Sequence, residues 1–245
     1  IVNIFRNRSE VLQYKLEIFE GILCPGFVNA HCHLELSHLL GIAEKGRGFL
    51  DFLEAIQQRN NSTEIEKQNA IEKAEQEMIA NGIVAVGDIC NTTDTLLQKQ
   101  KGNLLYYNFI ETFGIHENKI DIIFTQSMEL RNEFRTAGQK ATISPHAPYS
   151  VPPSLMKKII ESFDDRDELL SIHMQETKEE NQLFENKEGY FFDWLNGMSA
   201  DVSIWESRKK LIDVLKELKN KKILLVHNTF TKKKEITENY YCTCP

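Results

Sequence analysis

Short apolar, β-branched runs alternate along this chain with longer amphipathic stretches, and nearly every run ends on a side chain able to do chemistry. The runs are GFVNAHCH (26–33), IVAVGDICN (83–91), LLYYNFIETFG (104–114), ATISPHAPYS (141–150), LLSIHMQET (169–177), ILLVHNTF (223–230) and NYYCTCP (239–245). Apolar strands separated by helix-length segments predict repeated βα units, with a parallel sheet and right-handed crossovers. Residues 62–82 predict a helix: Ser62 and Thr63 are N-cap candidates, Ile65, Ala70, Ile71, Ala74, Met78 and Ile79 recur at helical spacing, and Gly82 ends it. Residues 151–163, starting at Pro153 or Ser154, and 206–220, starting at Ser207, read the same way.

An open doubly wound sheet and a closed barrel both fit that pattern, and the polar residues decide between them. A doubly wound sheet gathers its ligand at one switch point, usually beside a Gly-rich loop after the first strand. This chain has no such loop. Its polar groups instead close six successive runs: His31 and His33, Asp88 and Asn91, Glu111, His146, His173 with Glu176, and His227 with Asn228. That distribution predicts the α/β class and a (β/α)8 TIM barrel, whose chemistry sits at the C-terminal ends of its strands. The eighth strand is expected beyond these 245 residues. Acidic residues outnumber basic ones, for a net charge of −7, and no basic stripe runs along the chain, which argues against a nucleic-acid partner. No uninterrupted apolar stretch suits a membrane span, and the charged start IVNIFRNRSE does not suit a signal peptide, so a soluble cytoplasmic protein is expected. Five irregularly placed cysteines predict reduced thiols rather than a disulfide framework.

His31 and His33 stand two apart in a strand, so both imidazoles face one side and can reach one metal ion, with Cys32 on the other side. Alone, an H-x-H pair says little. Here it ends an apolar strand, where buried polar rings are costly unless coordinated or hydrogen-bonded. His173 closes the run LLSI and offers a third neutral imidazole, while Glu176, three residues on, can carry protons to and from an activated water without being a ligand. His227 closes ILLV in the same way. For any one such histidine alone a strand cap is the better reading, but three strand-end sites in register point to a shared centre. His38 and His116 are assigned no ligand role. His146, in SPHAPYS beside the aromatic wall of Tyr149, reads as a substrate contact against the alternative of a structural turn. Asp88 and Glu111 read either as hydrogen-bond partners of the centre or as substrate contacts. The pair Cys242 and Cys244 reads as a buried strand with small polarizable side chains rather than a metal site.

The segments PGFVNAHCHLELSHL, SPHAPYS, SIHMQET and LLVHNTF, in this order and spacing, resemble the amidohydrolase superfamily. Within it the likeness is to the branch of guanine, adenosylhomocysteine and aminodeoxyfutalosine deaminases and related chlorohydrolases, and it covers about Gly21 to Pro245. The resemblance implies that His31 and His33 are first-strand ligands and His173 the fifth-strand ligand of one divalent metal ion. It further implies Glu176 as proton shuttle, His227 as the sixth-strand histidine near the attacking water, and His146 as a substrate contact. An imidazole-rich set favours zinc, with iron as the alternative. An aspartate ligand on strand eight is implied beyond Pro245. So is half of a small β-sandwich, of which residues 1–24 would be the remnant here, leaving 25–245 as the hydrolase barrel. A homodimer and a small-molecule substrate are implied as well.

The reaction implied is hydrolytic deamination of an aminated N-heterocycle of adenosine, guanine or aminodeoxyfutalosine type, with release of ammonia. Another amidohydrolase reaction on a C–N or C–Cl bond, or an inactive binding protein, are the alternatives. Relatives with two metals bridge them through a carbamylated lysine at the end of strand four. Here that end carries His146, and Lys140 would lie at the opposite end, ~20 Å away by strand rise, which predicts a single metal. Glu176 favours deamination over dechlorination, because a departing amine needs a proton and chloride does not.

Overall fold

The computed structural model describes residues 5–11, 13–15, 17–42, 46, 48–56, 61–163, 168–200, 213–218, 221–232 and 239–244. Among them, seven strands run parallel in chain order: β1 (Phe27–Cys32), β2 (Ile83–Cys90), β3 (Leu105–Thr112), β4 (Lys140–Pro145), β5 (Leu169–Met174), β6 (Lys222–His227) and β7 (Tyr240–Cys242). Helices α1 (Phe49–Ile56), α2 (Glu64–Ala80), α3 (Leu96–Lys99), α4 (Ile120–Thr136), α5 (Pro153–Glu161), α6 (Lys178–Asn186), α7 (Tyr190–Gly197) and α8 (Val214–Glu217) lie between them. The described residues of 5–24 hold one 3-10 turn, Arg8–Val11, and no strand. Of the helix predicted over 206–220, only 213–218 are described, and they contain α8.

Backbone ladders join β1 through β4 and, separately, β5 through β7. Side chains close the seam between β4 and β5. The Ser171 amide donates to Ser144 Oγ (3.1 Å) and Thr142 Oγ1 donates to the Leu169 carbonyl (2.9 Å), while Tyr107 OH reaches across from β3 to accept the Leu169 amide (3.0 Å). Flat strands at ~4.8 Å spacing would hold β1 and β6 roughly 24 Å apart. Instead Ala30 of β1, Ile89 of β2, Phe109 of β3, Leu169 of β5, Leu224 and Val226 of β6 and Cys242 of β7 pack in one cluster. The strands therefore curl around a shared interior, as in the predicted (β/α)8 barrel.

Local chemistry explains the helices that pack outside. Thr63 caps α2 through a reciprocal box: its Oγ1 accepts the Glu66 amide (3.3 Å) and the Glu66 carboxylate accepts the Thr63 amide (2.8 Å). The inner face of α2 buries Ile71 completely, and also Glu75, whose carboxylate accepts from Tyr106 OH (2.9 Å) and Asn103 Nδ2 (2.8 Å). Pro153 occupies the first turn of α5, where no amide is needed. No helix of the described residues is long and apolar enough to cross a membrane.

Candidate active site

The first-strand pair is aimed by an irregularity in the sheet. Asn29 pairs with Val86 and Cys32 with Asp88, so Ala30 and His31 together stand opposite the single residue Gly87. This β-bulge shifts the alternation of β1 by one position. Ala30 packs in the barrel interior while Cys32 packs with Leu34, Ile71 and Val86 under the helices. A Cβ on Gly87 would lie 2.5 Å from the Ala30 carbonyl oxygen, so the bulge requires glycine there.

His31, His33 and His173 come together at this mouth of the barrel, with ligand atoms within 4.8 Å of one another. Ring centroids are 4.9 Å apart for His31–His33 and for His31–His173, and 5.6 Å for His33–His173. His227 joins them at 5.8 Å from His31 and 5.4 Å from His173. His146 lies just past β4, 5.0 Å from His173 and edge-on to Tyr149. The five histidines singled out from the sequence for the site thus come together, although β5 and β6 end at Met174 and His227, earlier than predicted.

Hydrogen bonds select the tautomers. The His146 carbonyl accepts both the amide of His173 and its ring Nδ1–H, each at 2.9 Å, which leaves Nε2 of His173 as the free lone pair. Ser150 Oγ donates to the Ala147 carbonyl (3.2 Å) and so accepts from His146 Nδ1–H (2.6 Å). Burial, reinforced by His173 and the other neighbouring imidazoles, holds the His31 pKa down at about 2. Burial first, then neighbouring imidazoles, lowers His146 and His173 to about 3 and His227 to about 4. Neutral rings with bare lone pairs are the form a divalent ion binds. Nδ1 of His31 and of His33 are buried without a hydrogen-bond partner, and such orphaned nitrogens fit a site built for a cation.

Glu176 follows β5 with Oε1 3.5 Å from His227 Nε2. Burial lifts its pKa to about 7. The backbone is left-handed at Gln175 (φ 51°) beside it in the loop after β5 and, at the end of β6, at His227 (φ 73°) and Asn228 (φ 56°). Glu180, in the first turn of α6, holds that loop by accepting the amides of Gln175 (3.2 Å), Glu176 (2.8 Å) and Thr177 (3.2 Å). Sequence reasoning missed Glu180, although Thr177-Lys178-Glu179-Glu180 carries the capping-box spacing. It also missed Glu35, whose Oε2 accepts from the amides of Asn91 and Thr92 and from Thr92 Oγ1, tying the loop after β1 to the end of β2.

The two acidic candidates separate. Glu111 faces the site: Oε2 accepts from Asn91 Nδ2 (3.1 Å) and Oε1 lies 3.6 Å from His173 Nδ1. With His173 neutral, this is a dipolar contact rather than an ion pair. The ligand atoms of Glu111, His146 and His173 also approach within 4.8 Å, but Nδ1 of His173 is committed to the His146 carbonyl. Asp88 lies on the helix side of β2, wholly buried with Lys99, and contacts no substrate space. Cys242 is half-buried, whereas Cys244 is exposed beside His31 and His227, so the second cysteine departs from the expected buried strand. Burial and then Cys242 push its thiol up to about 11. His116 is half-exposed beside the 3-10 turn Glu117–Lys119, and His38 does not line the cavity over the histidines.

That cavity encloses about 780 Å³. Its lining combines the histidines, Glu111 and Glu176 with the apolar Leu36, Leu39, Phe49, Phe52, Leu53 and Phe113. No lysine or arginine is among the described lining residues.

A parallel barrel whose C-terminal mouth gathers polar side chains from several strands defines the class of catalytic barrels. The sequence model of the Amidohydrolase family matches residues 22–244, and the chain belongs to that family. It is 27% identical, over its whole length, to the adenosine deaminase of Helicobacter pylori, covering 63% of that protein. It is 24% identical, over 88% of its length, to the aminodeoxyfutalosine deaminase of a Nitratiruptor species, covering 53% of that protein. The crystal structure of Helicobacter pylori aminofutalosine deaminase in complex with methylthio-coformycin superposes with a TM-score of 0.70 at 25% identity, over 86% of this chain and 52% of that one. The chain thus spans between half and two thirds of the length of these relatives.

Proposed function

We propose that this chain forms the hydrolytic core of a metal-dependent deaminase that releases ammonia from the aminated heterocycle of an adenine-type nucleoside. The observation that carries this reading is the convergence of His31, His33 and His173 beside Glu176 and His227 on one cavity. In this reading those three imidazoles would hold one divalent ion, zinc on donor chemistry, which would supply Lewis acidity enough to activate water near neutral pH. His227, neutral and 3.5 Å from Glu176, orients the attacking water. Glu176, with a pKa of about 7, relays the two protons of the attacking water in turn, the first to the ring nitrogen, where it stays, and the second, from the hydroxyl added to the ring carbon, to the departing amine, so that a ring carbonyl and ammonia result. His146, its Nδ1–H fixed on Ser150, presents Nε2 to the substrate. The apolar lining residues Leu36, Leu39, Phe49, Phe52 and Leu53 suit the faces of a heterocyclic base. The likeness to an adenosine deaminase and an aminodeoxyfutalosine deaminase supports the same substrate class. Residues 25–245 are taken as the hydrolase barrel, residues 1–24 as part of a separate sandwich, and the compartment as the cytoplasm.

The test uses the full-length protein. Metal analysis should find about one equivalent, and adenosine, 5′-deoxyadenosine and aminodeoxyfutalosine should be assayed for ammonia. Glu176→Gln is expected to cut turnover by roughly 10²–10⁴-fold while metal content stays the same. Stoichiometric metal with no ammonia from any of these would sink the deaminase reading, and full turnover by the variant would sink the role of Glu176.

A further inference from the structure

The reaction outlined above makes no use of Lys99, yet its ammonium is wholly buried on the helix side of the sheet. Lys99 Nζ, at the end of α3, donates to Asp88 Oδ2 (2.5 Å), Asn108 Oδ1 (2.7 Å) and Cys90 Sγ (3.2 Å), and lies 5.1 Å from the ring centroids of Tyr106 and Phe134. Asn108 Nδ2 in turn donates to the Lys140 carbonyl (2.8 Å), so the network crosses the back of β4, β3 and β2. A buried ion pair is poor evidence of a stabilising role, because apolar residues of similar volume commonly do as well. Its geometry points elsewhere. The other oxygen of Asp88, Oδ1, accepts the amide of Leu34 at 2.9 Å. The β1–β2 pairing ends at Cys32–Asp88, so the Leu34 amide has left the ladder and Asp88 catches it. His33 is bracketed between a residue paired with Asp88 and a residue hydrogen-bonded to it.

We propose that Asp88 is a positioning residue that sets the backbone of His33 through the Leu34 amide, and that Lys99 and Asn108 hold its carboxylate in the orientation this requires. The role toward a metal rests on the reading of His33 as a ligand. The hydrogen bond to Leu34 can be tested without it.

Two double variants separate the bond from the charges. Asp88→Asn with Lys99→Met removes both charges but keeps an acceptor for Leu34, and its new amide can donate to the vacated Asn108 Oδ1. Asp88→Leu with Lys99→Met removes the acceptor as well, and circular-dichroism melts check that each variant folds. Zinc affinity, measured by chelator competition, is expected to stay within about threefold of the parent for the Asn variant and to fall about 10–100-fold for the Leu variant. In metal-free protein the Leu34 amide should exchange slowly in the parent and the Asn variant and rapidly in the Leu variant. Parent-like zinc affinity in a folded Leu variant, or equal losses in both variants, would overturn the proposal. If the parent binds no zinc, the ligand reading fails, and Leu34 exchange alone decides: equal rates in all three proteins overturn the proposal, and rapid exchange confined to the Leu variant supports it.

Discussion

At neutral pH the rings of His31, His146, His173 and His227 are uncharged, because burial and mutual proximity oppose protonation. Their folded pKa values lie below the ordinary 6.5, so they contribute stability that is complete above that pH and is lost as pH falls toward about 2 to 4. Glu176 runs the other way: its pKa is raised from 4.5 to about 7, so its penalty is absent in acid and grows as pH rises through that window. In metal-free protein, melting temperatures measured between about pH 7 and 4.5 should therefore fall on acidification. The fall should be steeper in Glu176→Gln and shallower in His146→Asn, and identical slopes in all three would contradict these burial effects. The residues behind this balance could be read from the chain because each closes an apolar run. Lys99 could not be singled out, because nothing in one dimension distinguishes a buried charge from a solvated one, and Glu180 was marked only by its capping-box spacing to Thr177.

The bulge in β1 shows what periodicity alone misses at the scale of an element. Strict alternation places His31 and His33 on one face, and so does the structure, but which face is settled by two residues opposing Gly87. Gly87→Ala should cost about 1–3 kcal/mol in urea unfolding, since the added methyl meets the Ala30 carbonyl and the Phe109 ring. It should also weaken zinc binding by displacing His31. An unchanged unfolding midpoint would show that the strand accommodates a side chain there. Helix α2 was legible through its cap and spacing, whereas α4 was not. The buried side of α4 includes Ser127 and Arg131, which bond Thr112 Oγ1 and the Ser162 carbonyl, and these polar residues interrupt the apolar period.

For the molecule as a whole, barrel and ligand cluster make one stability problem. A site of unpaired buried imidazoles is costly when empty, and an ion bound only by the folded state stabilises by mass action, about 2.7 kcal/mol at a hundredfold excess over Kd. Zinc in excess should raise the melting temperature, chelator should reverse the rise, and the His31→Ala, His33→Ala double variant should show neither effect. A parent melting temperature indifferent to zinc would remove the metal from this account. The βα rhythm and the strand-end histidines carried the architecture, because both are local patterns repeated many times. The seam between β4 and β5 is not local, since its hydroxyls have no partner until the strands meet. There a single atom, the carbonyl oxygen of His146, receives both the main-chain and the ring proton of His173. Alignment of two neighbouring staves and the electronic state of the imidazole are thus decided together. A slip at that joint would withdraw the lone pair as well as misplace it, so a half-assembled barrel has no partially competent centre.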